Sequence, residues 1–201
     1  QTNELGSVDI ALVYLNARRE LQLHTPSSIR KALTMLQQCI VANSEYAQPY
    51  CTLAECYLTM SQLGIFDQKQ ALSQARLAVS KAVEIAPDNS QALGLLALTS
   101  AMNSEHSIAK TLFEQAWLLA PDSIDLYYYY GWYFFLSGAF SQAKVYLKGC
   151  LERDPSHIAA SILNIWLTYY DLRLDDAIGM GKNELSQYGQ GNPVLQSVQA
   201  L

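Results

Sequence analysis

Four cysteines, three histidines and a run of aromatic rings are the groups in this sequence that could do chemistry. Cys39, Cys51, Cys56 and Cys150 include no C-x-x-C pair, and none stands near a histidine in sequence. Zinc needs closely paired ligands, so this spacing predicts no metal site. Buried or half-buried thiols in a reducing compartment are expected instead. His24, His106 and His157 are expected in turns, none of them on an inner face of the fold. No Ser-His-Asp order, glycine-rich phosphate loop or carboxylate pair accompanies them. Glu105 is a turn neighbour of His106, and Asp175-Asp176 reads as the acidic start of a helix, where negative charge meets the helix dipole. These residues predict no catalytic centre, no metal and no cofactor.

The rings remain. The segment Leu126–Leu136, LYYYYGWYFFL, is the longest apolar stretch at 11 residues. A membrane helix needs roughly 20, so no membrane span is expected. What positions the rings is a repeat. Pro87, Pro121 and Pro155 are spaced 34 and 34 residues apart, each after an apolar helical segment. Twelve residues before each proline stand Ala75, Ala109 and Ala143; eight before, Val79, Phe113 and Leu147; five before, Ala82, Ala116 and Cys150. Small, large, small and then a proline stop is the pattern of the second helix of a tetratricopeptide repeat.

The first helices agree. Tyr50, Leu53, Ala54 and Tyr57 recur as Tyr127, Tyr130, Gly131 and Phe134, with Gly138 at the turn and Leu93, Leu96 and Ala97 as a weaker copy. Small residues at the contact let helix axes approach to about 8–10 Å. The residue before proline is pushed out of the α region, which ends each second helix. The expected fold is therefore all-α, a right-handed tetratricopeptide-repeat solenoid of about five helix pairs forming a single domain. Its units are approximately 10–44, 47–87, 90–121, 124–155 and 158–191, with the start of a next helix at 193–201. The closing pattern NPVLQSVQAL and the lack of an initial Met suggest a piece of a longer protein. One unit departs from the period: Tyr57 to Ala75 is 18 residues where Phe134 to Ala143 is nine. The nine extra residues, around SQLGIFDQKQ, mean either longer helices with a wider turn or a contact loop carrying Phe66.

Such a solenoid has a concave face lined by first helices. In the second unit that face reads Gln48, Cys51, Thr52, Glu55, Leu58 and Thr59; in the third, Gln91, Gly94, Leu95, Leu98, Ala101 and Met102. The fourth and fifth turn aromatic, with Tyr128, Tyr129, Trp132 and Phe135, then Trp166, Tyr169 and Tyr170. These seven rings are the expected groove for a peptide or protein partner, since Tyr and Trp anchor binding hot spots. Equally, they could cover one another or pack on a following helix. Arg18 is the one inner-face cation, so a lysine–arginine clamp for carboxylate tails is not expected.

Composition sets the outer limits. The chain has 201 residues, half of them hydrophobic and 15% charged, so a sizeable core is expected. Eighteen acids against 13 bases leave a net charge of −5. A surface of that sign repels phosphate backbones, so direct nucleic-acid binding is not expected of this chain.

Several segments point to a narrower family. PYCTLAECYLTMSQLGIFD at 49–67, NSQALGLLAL at 89–98, YYYGW at 128–132, WLTYY at 166–170 and DDAI at 175–178 resemble the C-terminal region of the HilA-type transcription activators of enteric bacteria. The resemblance runs from about Val8 to the end and includes the nine-residue insert. It implies a cytoplasmic regulator whose N-terminal winged-helix domain, of the OmpR/ToxR type, binds promoters of invasion and type III secretion genes. The repeat region would then contact polymerase, another regulator, a second copy of itself or a small ligand. No DNA-contact residue of that family maps onto this chain. A free-standing cytosolic chaperone or adaptor for secreted proteins is the alternative.

Overall fold

The structure, a computed structural model, describes residues 7–171, 174–188, 192 and 196. Among them the chain is all helix: α1 Ser7–Gln22, α2 Pro26–Ala42, α3 Ala47–Gln62, α4 Gln68–Ile85, α5 Ser90–Met102, α6 His106–Leu119, α7 Ile124–Leu136, α8 Phe140–Arg153, α9 Ile158–Tyr170 and α10 Leu174–Tyr188. Consecutive helices pair as hairpins, α1 with α2 through α9 with α10. The first helices then pack on one another, α1 on α3, α3 on α5, α5 on α7 and α7 on α9. This is the stacking of a tetratricopeptide solenoid. The start of a further helix expected at 193–201 lies outside the described residues apart from Gln196.

Local chemistry sets the helix ends. Thr25 accepts from the backbone N–H of Ser28 at 3.2 Å, and Pro26 supplies a first helical residue with φ already fixed. Asp67 caps α4 by accepting from Lys69 and Gln70 at 3.0 Å each, and Asn89 caps α5 by accepting from Ala92 at 2.9 Å. Ala86, Ala120 and Asp154, the residues before the three spaced prolines, hold ψ of 84°, 73° and 90°, outside the α region. Each of the first four hairpins turns on one left-handed residue: His24, Gly64, Ser104 and Gly138, with φ of 53°, 68°, 64° and 71°. Glycine takes that conformation without strain, whereas at His24 and Ser104 it costs roughly 1–2 kcal/mol.

The repeat positions form the core. Ala75, Ala109, Ala143, Ala82, Ala116, Cys150, Val79, Phe113 and Leu147 are all at most 1% exposed. The insert resolves into lengthened helices. Relative to the next hairpin, α3 gains three residues, α4 four and the turn two. Phe66 in that turn is half-buried, its ring 6.1 Å from that of Tyr57.

Helix approach requires Gly131. A Cβ there would lie 2.6 Å from Leu147 Cδ2 and 2.7 Å from Cγ, inside a fully buried side chain. Gly131→Ala should therefore lose about 1–2 kcal/mol, because overpacking outweighs the roughly 1 kcal/mol helix-propensity gain. At Gly179 on α10 a Cβ meets nothing within 4 Å, so Gly179→Ala should gain up to about 1 kcal/mol. Urea denaturation of the two variants beside the parent reads both signs.

Candidate functional site

The inner face is built on α5. A Cβ at Gly94 would lie 2.5 Å from Leu126 Cδ2 and 3.0 Å from Tyr129 Cδ2, so only glycine lets α7 settle this closely. Tyr129 then crosses toward α3, where its hydroxyl donates to the Glu55 carboxylate. Arg18 of α1 completes the group, with Nη1 3.8 Å from Glu55 Oε2 and Nη2 3.3 Å from Asp125 Oδ1. One guanidinium thereby ties the first hairpin to the second and the fourth, across 107 residues of chain. Thr52 Oγ1 donates to the Tyr14 hydroxyl at 3.4 Å beside this group.

Below it lies a cavity of about 410 Å³ that all five first helices help to line. Arg18 comes from α1, Glu55 and Thr59 from α3, Leu95 from α5, Tyr128 and Trp132 from α7, and Ile158 from α9. Burial governs the electrostatics. It pushes the Glu55 carboxyl up against the pull of Arg18, and it raises Tyr128 and Tyr129 above the ordinary phenol range. Glu55, and Asp125 after it, hold Arg18 firmly protonated. Burial lowers His24 to about 4 and also depresses His157, so both imidazoles are neutral near pH 7. The four cysteines are buried and unpaired, and burial raises their thiols, Cys150 to about 12. Such thiols are poor nucleophiles. Among the described residues, no group of three or more His, Cys, Asp or Glu is placed to hold a metal ion.

The seven rings expected along one groove lie in three places. Tyr128, Tyr129 and Trp132 are buried at 7%, 1% and 6% exposure, and they wall the cavity. Phe135 is half-buried and meets Tyr170, which is 54% exposed, at 5.9 Å; Phe140 stacks on Tyr170 at 6.0 Å. Trp166 and Tyr169 pack with Ile158, Ile162 and Ile165 beside α10. Across the inner face Arg18 of α1 reaches Asp125 of α7, beside the rings that wall the cavity.

Two histidines need correction. His24 and His157 were expected in turns away from the inner face, and both do lie at turns, but both line the cavity. His157 accepts from the Ala160 N–H through Nδ1 at 3.2 Å, capping α9, and its ring lies 4.8 Å from Tyr128. His24 sits close enough to His157 for their charges to interact. His106, at the start of α6, takes no part. The partners of Arg18 were also unread in sequence, since Glu55 and Asp125 meet it only when hairpins far apart in the chain come together.

Removing Arg18 should expose how much the closure depends on it. Arg18→Met leaves Glu55 in low dielectric without its cation and should cost about 2–4 kcal/mol. Adding Glu55→Gln should restore part of that loss, measured as a double-mutant cycle by chemical denaturation. His24 gives a pH signature. Its folded value near 4 lies below the unfolded value of about 6.5, so its contribution is whole above pH 6.5 and is lost as pH falls toward 4, by up to about 3 kcal/mol. His157 acts with the same sign, whereas Glu55, raised in the fold, acts with the opposite one. Thermal unfolding of His24→Gln should show a flatter acid limb than the parent.

No family model matches the chain. The transcriptional regulator HilA of Salmonella typhimurium strain LT2 is 44% identical over 201 residues, all of this chain, and the HilA proteins of Salmonella typhi and Salmonella paratyphi A match equally. The chain spans 36% of the length of these curated relatives. Among solved structures, a thermophilic tetratricopeptide protein of Thermus thermophilus superposes with TM-score 0.63 at 18% identity, over 94% of this chain and 100% of that one. The type IV pilus biogenesis factor PilW gives 0.54 at 17% identity over 90% and 78%, and YrrB, a tetratricopeptide protein with an unusual peptide-binding site, gives 0.51 at 15% over 99% and 94%. These relatives are a transcriptional regulator and tetratricopeptide-repeat proteins. Packing, register and likeness agree: this chain is a tetratricopeptide-repeat solenoid, similar along its entire length to part of the HilA transcriptional regulators.

Proposed function

We propose that this chain is the protein-interaction and regulatory region of a HilA-like transcription regulator of invasion and type III secretion genes, working in the cytoplasm. Promoter binding would reside in an N-terminal winged-helix domain of the intact protein, outside this chain. The single observation that carries the reading is the 44% identity to HilA sustained over all 201 residues. The net charge of −5 is in keeping with a region that leaves DNA to another domain. The partner would be a protein: polymerase, another regulator or a second copy. Rings left partly exposed are the contact candidates, with Tyr170 at the centre, Phe135 and Phe140 against it and Leu136 at 48% exposure nearby on α7. Trp166 and Tyr169 on α9 and Phe66 in the α3–α4 turn extend the candidate set.

The test uses the intact protein. Tyr170→Ala with Leu136→Ala should weaken partner capture by about 1–3 kcal/mol and reduce reporter transcription, with promoter occupancy in footprinting unchanged. Equal loss of occupancy, or an intact gene product without a winged-helix domain, would overturn the reading. Copurification with a secreted substrate and no effect on transcription would favour the chaperone alternative.

A further inference from the structure

The cavity is the feature that this function does not use. Protein interiors are close-packed, and voids larger than a water molecule are few. At about 410 Å³ the cavity instead falls within the range of small-molecule sites, roughly 300–1,000 Å³. Among the described residues its lining is chemically lopsided: one guanidinium, Arg18, stands against four carboxylates, Glu55, Asp122, Asp125 and Asp154. Arg18 is committed to Glu55 and Asp125. Asp122 Oδ1 is 3.5 Å from Arg153 Nη2 but is 91% exposed, and Asp154 Oδ1 accepts only from Ser156, at 3.0 Å from N and 2.6 Å from Oγ. An anion would meet this surplus of negative charge, with no free cation among the described lining residues to receive it.

A second observation is independent of the carboxylates. His24 is 3% exposed and lines the cavity, so its polar ring faces this space rather than bulk solvent. Burial keeps that ring neutral near pH 7, so one of its nitrogens is an acceptor. The third element is aromatic: Tyr128 and Trp132, 5.7 Å apart between ring centroids, both line the cavity. Ring faces attract cations through their quadrupole, more strongly when the site is dry.

We propose that the cavity binds a small organic cation, an ammonium group on an apolar body, held by the Tyr128 and Trp132 rings, the Asp122 and Asp154 carboxylates and the His24 imidazole. The apolar body lies along Leu58, Leu95 and Ile158, and the N–H donors meet His24 and the acids. This site stands apart from the transcriptional reading above and holds whether or not that reading does.

Calorimetric titration of the 201-residue chain at pH 7 tests it with three probes of one shape: phenethylammonium, phenethyl alcohol and phenylacetate. The expected result is saturable 1:1 binding of the ammonium probe, at least about ten-fold tighter than the alcohol, with phenylacetate weakest. Asp154→Asn preserves the turn geometry and should weaken the ammonium probe about three- to ten-fold. Asp122→Asn, at an exposed position where folding is not at risk, should weaken it about two- to three-fold. Equal affinity for the three probes, no saturable signal up to about 10 mM, or unchanged affinity in both Asp variants would overturn the proposal. Binding of the peptide Lys-Phe-Lys amide without binding of phenethylammonium would overturn it too, in favour of a peptide occupant.

Discussion

The absence of a side chain at Gly94 is the constraint on which the inner face depends. Any Cβ there would strike Leu126 and Tyr129, so α7 could not lie as close to α5 as it does. That approach carries Tyr129 over the third unit to the Glu55 carboxylate on the second. It also brings Asp125 within reach of Arg18 on the first. A small residue in the middle of the stack thus sets how far the ends are drawn together. A bulky residue at 94 would push α7 outward and separate four ionisable or hydroxyl groups at once.

The fold was legible because its determinants are local and repeated. Alanine or cysteine at matched positions can be found only in a close helix contact if the period is real, and each matched position is fully buried. The proline stops, the Thr25 cap and the Gly138 turn are equally short-range signals, readable within a few residues of sequence. Even the nine-residue insert resolves into something local, since three residues lengthen α3, four lengthen α4 and two widen the turn.

The site was less legible, for a geometric reason. Position along a first helix indicates which side chains face inward, and that much placed Arg18, Glu55, Tyr128, Tyr129 and Trp132 correctly on the inner face. It does not show which groups from hairpins far apart in the chain meet across that face, as Arg18 and Asp125 do. The packing of α7 on its neighbours buries its three rings, and His24 and His157 meet at one cavity. The one signal that could have been read is Gly94 itself. A glycine on an inner-face position just before an aromatic-rich unit marks a place where the next first helix comes unusually near.

Magnitudes decide which contact keeps the inner face shut. If the first and fourth hairpins parted, Arg18 and its carboxylates would be resolvated, and a pair about a quarter exposed would cost roughly 1 kcal/mol to separate into water. The rings are a larger matter. Each of Tyr128, Tyr129 and Trp132 buries about 150–250 Å², and re-exposing even a third of that on all three costs about 4–6 kcal/mol at roughly 25 cal/mol per Å². Ring burial therefore outweighs the ion pair in holding α7 against its neighbours, and the ion pair fixes which groups meet across the inner face. An extended peptide laid along this face would have to replace that buried area before gaining anything from new contacts. An occupant small enough to enter the existing cavity bears no such cost, and a protein partner finds its rings at lowest cost on the α7–α9 rim, where Tyr170 is already in water.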